Sequence, residues 1–267
     1  MTCCGLRPRA RLATVAAMTT LAYFDPGGGR RIAYRLREAT DPAHPTLVFL
    51  PGYASDMEGT KAVAVDAFAG ATGGGCLRFD YSGTGSSGGT FDEGTLARWL
   101  EEVVAAIDLL VAGPLILVGS SMGGWLALHA ALQRPARVTA LVGIAAAPDF
   151  TDWGFTPEQK IALLQHGKLE RPNPYGGEAG VTHRAFWQSG EALRLLSLPI
   201  AIDCPVRLLN GEKDEEVPVG VPLKLLAQLR SADVQLVLVK GGGHRLSEGR
   251  EIDALLRLLA PLVETKS

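Results

Sequence analysis

The sequence predicts an α/β protein: a mostly parallel eight-stranded sheet with helices on both faces and a small helical cap inserted late in the chain. Three observations carry that expectation. Apolar runs of strand length alternate with helix-length segments along most of the chain. The later runs are apolar at nearly every position, as strands covered on both faces are. One stretch, 149–203, breaks the rhythm with Pro, Gly, Trp and charged residues and no strand-like run. A chain of 267 residues can bury one large core without dividing. Residues 21–267 therefore read as one domain carrying the cap at 149–203, and residues 1–20 read as a disordered leader.

The strand candidates, in order, are LAYF from Leu21, RIAYRLR from Arg31, TLVFL from Thr46, CLRFD from Cys76, LILVG from Leu115, VTALVGI from Val138, VRLLN from Val206 and VQLVLV from Val234. RIAYRLR alternates apolar with polar and is expected as an antiparallel strand near one edge, while everything from TLVFL onward is expected inside the sheet. Helices are expected at about 60–71, 95–111, 122–133, 221–230 and 248–263. In ARWLEEVVAAIDLLV the apolar residues fall at three- and four-residue spacing, which turns one face to the sheet. The 149–203 stretch separates two strand candidates, so an insertion there lies over the carboxyl ends of the strands, where open α/β sheets bind ligands.

Composition removes several classes. A net charge of -2 supplies no broad field for nucleic acid or an acidic membrane. The uncharged stretch Leu109–Gln133 is long enough for a membrane span, but Gly113-Pro114 and the run Gly119 to Gly124 break it into strand, turn and helix, so no span is expected. Of the four cysteines, Cys3 and Cys4 lie in the leader and Cys76 and Cys204 stand alone; no pair has zinc spacing, and the set suits a reducing compartment. Arg7, Arg9 and Arg11 give the leader a superficial likeness to a targeting segment, but threonines dilute the stretch that follows. Neither a metal nor an organic cofactor is expected.

The strongest local signal is LILVGSSMGGWLALHAAL: a strand, then Gly119-Ser120-Ser121-Met122-Gly123, then an apolar helix. This is G-x-S-x-G in the strand-turn-helix context that gives it meaning. Such a tight turn strains the serine backbone and needs glycines beside it, because side chains there would strike the adjoining strand and helix. It holds the Ser121 hydroxyl above the sheet as a nucleophile. Ser120 is the competing hydroxyl but sits one place early in the motif. The helix start directs its dipole to the same spot, so the backbone N–H of Met122 can face a developing oxyanion. A second donor is expected after TLVFL, in Pro51-Gly52-Tyr53-Ala54-Ser55, with the N–H of Tyr53 the candidate.

A serine hydroxyl needs an imidazole to take its proton and a carboxylate to hold that imidazole. Of five histidines, His244 ends VQLVLVKGGGH in a glycine loop after the last strand, where a base can reach Ser121. His129 lies inside the apolar helix as a packing residue, His44 in a polar loop, and His166 and His183 in the cap. The acid is expected after VRLLN, in Gly211-Glu212-Lys213-Asp214-Glu215-Glu216; Asp214 follows the turn glycine by three residues, and the glutamates read as solvated charges. Asp203 precedes that strand, at its far end. A decoy, Gly83-Thr84-Gly85-Ser86-Ser87-Gly88, fits the dinucleotide fingerprint, but a helix does not follow directly and no acid ends a following strand. Asp80 is expected instead to tie that loop together through backbone N–H groups.

These segments resemble the α/β-hydrolase superfamily in order: LPGYAS, RFDYSGTGSS, LVGSSMGGWLALHAA, CPVRLLNGEKDEEVP and GGGH, across about 46–244. PGYASDMEGTKA, FDYSGTGSS and GSSMGGW are further similar to the abhydrolase-domain group of palmitoyl-protein thioesterases and acyl-glucuronide esterases. That resemblance implies the α/β-hydrolase fold, Ser121, Asp214 and His244 in the triad positions, and cleavage of a carboxylic ester or thioester through an acyl-enzyme. The partner it implies is a small-molecule acyl ester or thioester, or an acylated protein. PNPYGG and THRAFWQSG in the cap depart from that group. The Ala-, Gly- and Arg-rich composition points to a bacterial chain and the cytoplasm, with the mitochondrion the alternative that the resemblance implies. Aromatics of the cap, Trp153, Phe155, Phe186 and Trp187, are candidates either to surround an acyl chain or to form the cap's own core. The competing functions are a non-catalytic binding protein of the same fold and a serine peptidase.

Overall fold

A computed structural model describes residues 19–42, 44–172, 176 and 179–264. Most of the predicted leader, residues 1–18 with Cys3 and Cys4, lies outside the described residues, as does part of the PNPYGG stretch.

The main sheet has eight strands: β1 (Leu21–Phe24), β2 (Ile32–Arg37), β3 (Thr46–Leu50), β4 (Cys76–Phe79), β5 (Leu115–Ser120), β6 (Val138–Ile144), β9 (Val206–Gly211) and β10 (Val234–Val239), with β7 and β8 apart from them. Their order is β1-β2-β4-β3-β5-β6-β9-β10. From β4 to β10 every neighbouring pair is parallel, while β1–β2 and β2–β4 are antiparallel. Period-two alternation explains the sandwich. On β3, Val48 and Leu50 face one core and Leu47 and Phe49 the other; on β5, Leu115 and Leu117 face the first and Ile116 and Val118 the second.

The first core is covered by α2 (Leu96–Leu110), α3 (Met122–Gln133) and α7 (Gly220–Gln228), the second by α1 (Thr60–Thr72) and α8 (Gly249–Val263). The expected spacing in α2 is realised: Leu96, Trp99, Leu100, Val103, Ala106 and Ile107 are its buried apolar face, and Thr95 caps it by accepting the Arg98 N–H at 3.1 Å. The chain runs from β3 outward to β4, then crosses back to β5 on the other side of β3. That reversal opens a crevice at the carboxyl ends of the central strands, beside the turn that carries Ser121.

One strand differs from expectation. VQLVLV forms β10, the outer strand of its side, and it is only partly buried, with Leu238 44 % exposed. An unbroken apolar run thus does not distinguish a central strand from an edge strand that α7 and α8 flank.

Between β6 and β9 the chain leaves the sheet. It forms α4 (Phe150–Trp153), α5 (Pro157–His166), a hairpin of β7 (Lys168–Arg171) with β8 (Gly180–His183), and α6 (Arg184–Ala192). The hairpin is absent from the sequence reading, because KLER and GVTH are too short and too polar to register as strands. This insert is pinned at its base by Asp149, whose carboxylate accepts the N–H groups of Leu195 and Leu196 at 2.8 and 2.7 Å. Phe186 on α6 bolts it to the frame, its ring centroid 4.7 Å from that of Tyr53 and 5.5 Å from that of Trp99.

Candidate active site

Ser121 ends the turn from β5 into α3 at φ 53° and ψ -118°. For a residue with a Cβ such a conformation costs about 1–3 kcal/mol and persists only where its surroundings hold it. Here they do. Its N–H donates to the Ile144 carbonyl at 2.9 Å, and its own carbonyl accepts from Gly124 and Ala147 at 2.9 and 3.1 Å. The flanking glycines are required by close approach: a Cβ on Gly123 would stand 2.0 Å from the Leu50 carbonyl oxygen, and one on Gly119 2.3 Å from the Gly123 carbonyl oxygen.

His244 arrives on the loop after β10, with Nε2 3.2 Å from Ser121 Oγ and Nδ1 3.0 Å from Asp214 Oδ2. Asp214 comes from the loop after β9, its side chain fully buried, and its other oxygen accepts the N–H groups of Glu216 and Val217 at 3.0 and 2.8 Å. An ionised carboxylate only accepts, so the proton of a neutral His244 sits on Nδ1, and Nε2 is left to accept from the Ser121 hydroxyl. The three side chains meet because β5, β9 and β10 run parallel and release their loops at one end of the sheet.

The other acids lie elsewhere. Glu212 pairs with Lys240 at 2.6 Å on the surface, and Asp203 pairs with Arg230. Glu216 approaches most nearly, with Oε2 3.8 Å from His244 Nε2, but it is half exposed and on the cavity side of the ring. Of the remaining histidines, His129 lies 2.9 Å from the Leu193 carbonyl, where burial lowers its pKa despite that hydrogen bond. His44 faces Asp41, His166 closes α5, and His183 packs edge-on to Phe91. Asp80 accepts the Met57 and Ser86 N–H groups, each at 2.7 Å, holding together the loop that mimics a dinucleotide site.

Ser121 and His244 open into a cavity of about 860 Å³, within the size range of small-molecule sites. Its frame side includes Tyr53 and Lys61; its insert side includes Phe150, Trp153, Phe155 and Arg171. The loop bearing Tyr53 lies against the nucleophile: the open side-chain position of Gly52 is 3.4 Å from Ser121 Cβ. The Tyr53 phenol donates to the Val181 carbonyl of β8 at 2.8 Å, and burial raises its pKa. Met122 is the first residue of α3, and its side chain is buried in the core below. Of the four cap aromatics, Trp153 and Phe155 line the cavity. Phe186 is in the core, and Trp187 packs against the insert, donating from its ring nitrogen to the Thr151 carbonyl at 2.9 Å.

Two cavity residues escaped the sequence reading. Arg171 stands 4.4 Å over the Phe155 ring and donates to the Gly154 carbonyl at 3.1 Å; burial lowers its pKa. No local signal marks it, since its position depends on the unrecognised hairpin. Lys61 lies within PGYASDMEGTKA, so the segment was noticed but the residue was not. Among the described residues no cluster of three or more His, Cys, Asp or Glu is placed to hold a metal ion, and no helix is long and apolar enough to cross a membrane.

A parallel sheet with a strained serine between strand and helix, facing an imidazole backed by a buried carboxylate, defines an α/β-hydrolase type of molecule. The chain belongs to the alpha/beta hydrolase family, whose model matches residues 47–257. It is 39 % identical over 254 residues to the mitochondrial palmitoyl-protein thioesterase ABHD10 of Homo sapiens, an alignment covering 93 % of this chain and 82 % of the relative. Among solved structures it is similar to a hydrolase candidate from Agrobacterium vitis S4, with TM-score 0.86, 39 % identity, and coverage of 92 % of this chain and 98 % of that one. It is also similar to mouse alpha/beta hydrolase domain-containing protein 10, with TM-score 0.84, 38 % identity, and coverage of 91 % and 98 %.

Proposed function

We propose that the chain is a serine hydrolase that cleaves acyl esters and thioesters through a covalent acyl-enzyme. The observation that carries this reading is the position of His244, one ring nitrogen against the Ser121 hydroxyl and the other against the buried Asp214 carboxylate. Ser121 Oγ attacks the acyl carbonyl carbon while its proton passes to His244 Nε2; Asp214 stabilises the imidazolium that results. The N–H groups of Tyr53 and Met122 hold the oxyanion. When the carbon–oxygen or carbon–sulfur bond breaks, the leaving group takes the proton from His244. Water then gives a proton to the same nitrogen and attacks the acyl-enzyme, releasing the carboxylic acid and restoring Ser121.

A thiol leaving group has a pKa near about 8.5, so it departs with less proton assistance than an alkoxide. The thioesterase names of the relatives support the thioester assignment, and the Phe150, Trp153 and Phe155 side of the cavity suits an acyl chain. Those relatives carry a mitochondrial name, which favours that location over the cytoplasmic expectation.

A fluorophosphonate probe tests the reading. It is expected to label the wild type at Ser121 and to leave Ser121→Ala unlabelled, with hydrolysis of p-nitrophenyl esters, acyl-CoA and S-palmitoyl peptides falling by several orders of magnitude in the variant. An unlabelled wild type would favour a binding protein of the same fold, and turnover of amides in place of esters a peptidase.

A further inference from the structure

The loop that carries His244 contains a second strained residue. Leu246 has φ 45°, although it bears a full side chain. That side chain is buried in the second core, so the loop is forced into a left-handed setting two residues beyond the imidazole. Strain of this kind tends to relax by rotating the preceding peptide, which here joins Arg245 to Leu246 and follows His244 directly. An arrangement that keeps His244 Nε2 at hydrogen-bonding distance from Ser121 therefore needs something to hold the Arg245 carbonyl.

Two donors do so. Ser247 Oγ donates to the Arg245 carbonyl at 2.9 Å from within the loop, and Lys61 Nζ donates to the same oxygen from α1, across the cavity edge. The two differ in what they can enforce. Ser247 moves with the loop it bonds, whereas Lys61 stands on a thirteen-residue helix packed through Ala62, Val65 and Ala69 against the sheet. Lys61 also lines the same cavity as Ser121 and His244.

We infer that Lys61 is a positioning residue, which fixes the His244 loop to the frame through the Arg245 carbonyl and so sets the reach of the imidazole toward Ser121. This gives a task to the last polar residue of PGYASDMEGTKA, which the triad and the oxyanion donors leave unused. Other residues of the segment face the opposite way: Met57 is buried and its backbone is bonded by Asp80 and Arg78.

The surroundings of Lys61 make its hold sensitive to pH. Burial lowers its pKa to about 8, with the Arg245 side chain pushing the same way and Glu251 of α8 opposing them. On the cavity side the titratable groups are His244, Glu215 and Glu216, and Arg171 faces in from the insert. Below about 8 the ammonium donates to the carbonyl with charge assistance; above it a neutral amine makes a weaker bond. The hold therefore weakens as pH rises through that value.

The inference rests on the serine-hydrolase reading, and the test separates the two. Initial rates and the rate of fluorophosphonate labelling are measured against pH for wild type, Lys61→Met and Lys61→Arg, with melting temperature as the check on folding. Lys61→Met is expected to lose about 10- to 100-fold in kcat at pH 7 with KM within about twofold, and to label more slowly in proportion, as small misplacements of a reacting group do. Lys61→Arg is expected to recover most of the rate and to carry its plateau beyond the point where the wild type declines, because a guanidinium does not titrate there. A folded Lys61→Met with wild-type kcat, a loss confined to KM, or an arginine variant that declines at the same pH as the wild type would each overturn the positioning role. Should Lys61→Met not fold, the pH profile of Lys61→Arg decides alone. A wild type that the probe fails to label would overturn the hydrolase reading itself.

Discussion

The frame side of the Ser121 cavity hangs from β3, β5, β9 and β10, within one parallel array, whereas the insert side hangs from two four-residue strands and short helices. Strands β3, β5 and β9 are buried at every position, while β7 alternates between exposed and half-buried. In the frame, a residue is placed by backbone pairing on both sides of its strand. In the insert, placement comes from a few side chains: the Asp149 carboxylate at the base, the Phe186 ring against Tyr53 and Trp99, and the Tyr53 hydroxyl on β8. The proposed chemistry needs tenths of an ångström and rests on the first kind of scaffold. The recognition of an acyl chain needs only a shaped apolar wall, and the second kind suffices.

The contrast is broken most severely by testing whether frame burial decides which acid works. Asp214→Asn keeps the shape but offers an N–H to His244 Nδ1, which favours the wrong tautomer; a loss of about 10³- to 10⁴-fold in kcat is expected with folding intact. Glu216→Gln, 3.8 Å from the other ring nitrogen but half exposed, is expected to cost less than about tenfold, because solvent screens it. Steady-state rates on one ester, with circular dichroism for folding, decide the matter. Comparable losses in the two variants would show that burial in the frame does not single out the acid.

The same division governs what could be read from the chain. All eight sheet strands and the five helices flanking them stand where the apolar runs and their spacing put them, because each buries a continuous face whose period is written in the residues. Ser121, His244 and Asp214 could be nominated because a parallel sheet releases its loops at one end, so positions just past strand ends converge. The rank of VQLVLV in the sheet could not be read, since helix cover and strand cover ask for the same residues. The β7–β8 hairpin could not be read either: Lys168, Glu170 and Arg171 carry no apolar periodicity, and the pairing is held by contacts with Tyr53 that lie 128 residues away in sequence. Lys61 was hidden for a related reason, as its partner is a carbonyl in a loop 184 residues further on.

Phe186→Ala sharpens the comparison on the stability side. Removing a buried aromatic costs about 3 kcal/mol or more, and here the ring is what joins α6 to Tyr53 and Trp99. Denaturant unfolding is expected to register that loss. Native-state hydrogen exchange is expected to locate it, with amides of β7, β8 and α6 exchanging faster and those of β5 and β9 little changed. Fluorophosphonate labelling of Ser121 is expected to stay within a few fold of the wild type. Uniform acceleration across the sheet would mean that insert and frame open as one unit and that the distinction between the two walls has no energetic basis.

The smallest effect asks whether the insert wall discriminates between substrates at all. Phe155 is 5 % exposed, faces the cavity and carries Arg171 across its ring. If that ring contacts an acyl chain, truncating it to alanine removes apolar area that a long chain covers and an acetyl group does not reach. Lost burial of part of an aromatic ring is worth about 1–2 kcal/mol, so kcat/KM for a long-chain p-nitrophenyl ester is expected to fall about tenfold in Phe155→Ala while that for the acetate changes by less than about threefold. The quantity that decides is the ratio of the two, because any general loosening of the insert lowers both together. A ratio unchanged from the wild type would take Phe155 out of substrate contact and leave it, like Phe186, as part of the insert's own packing.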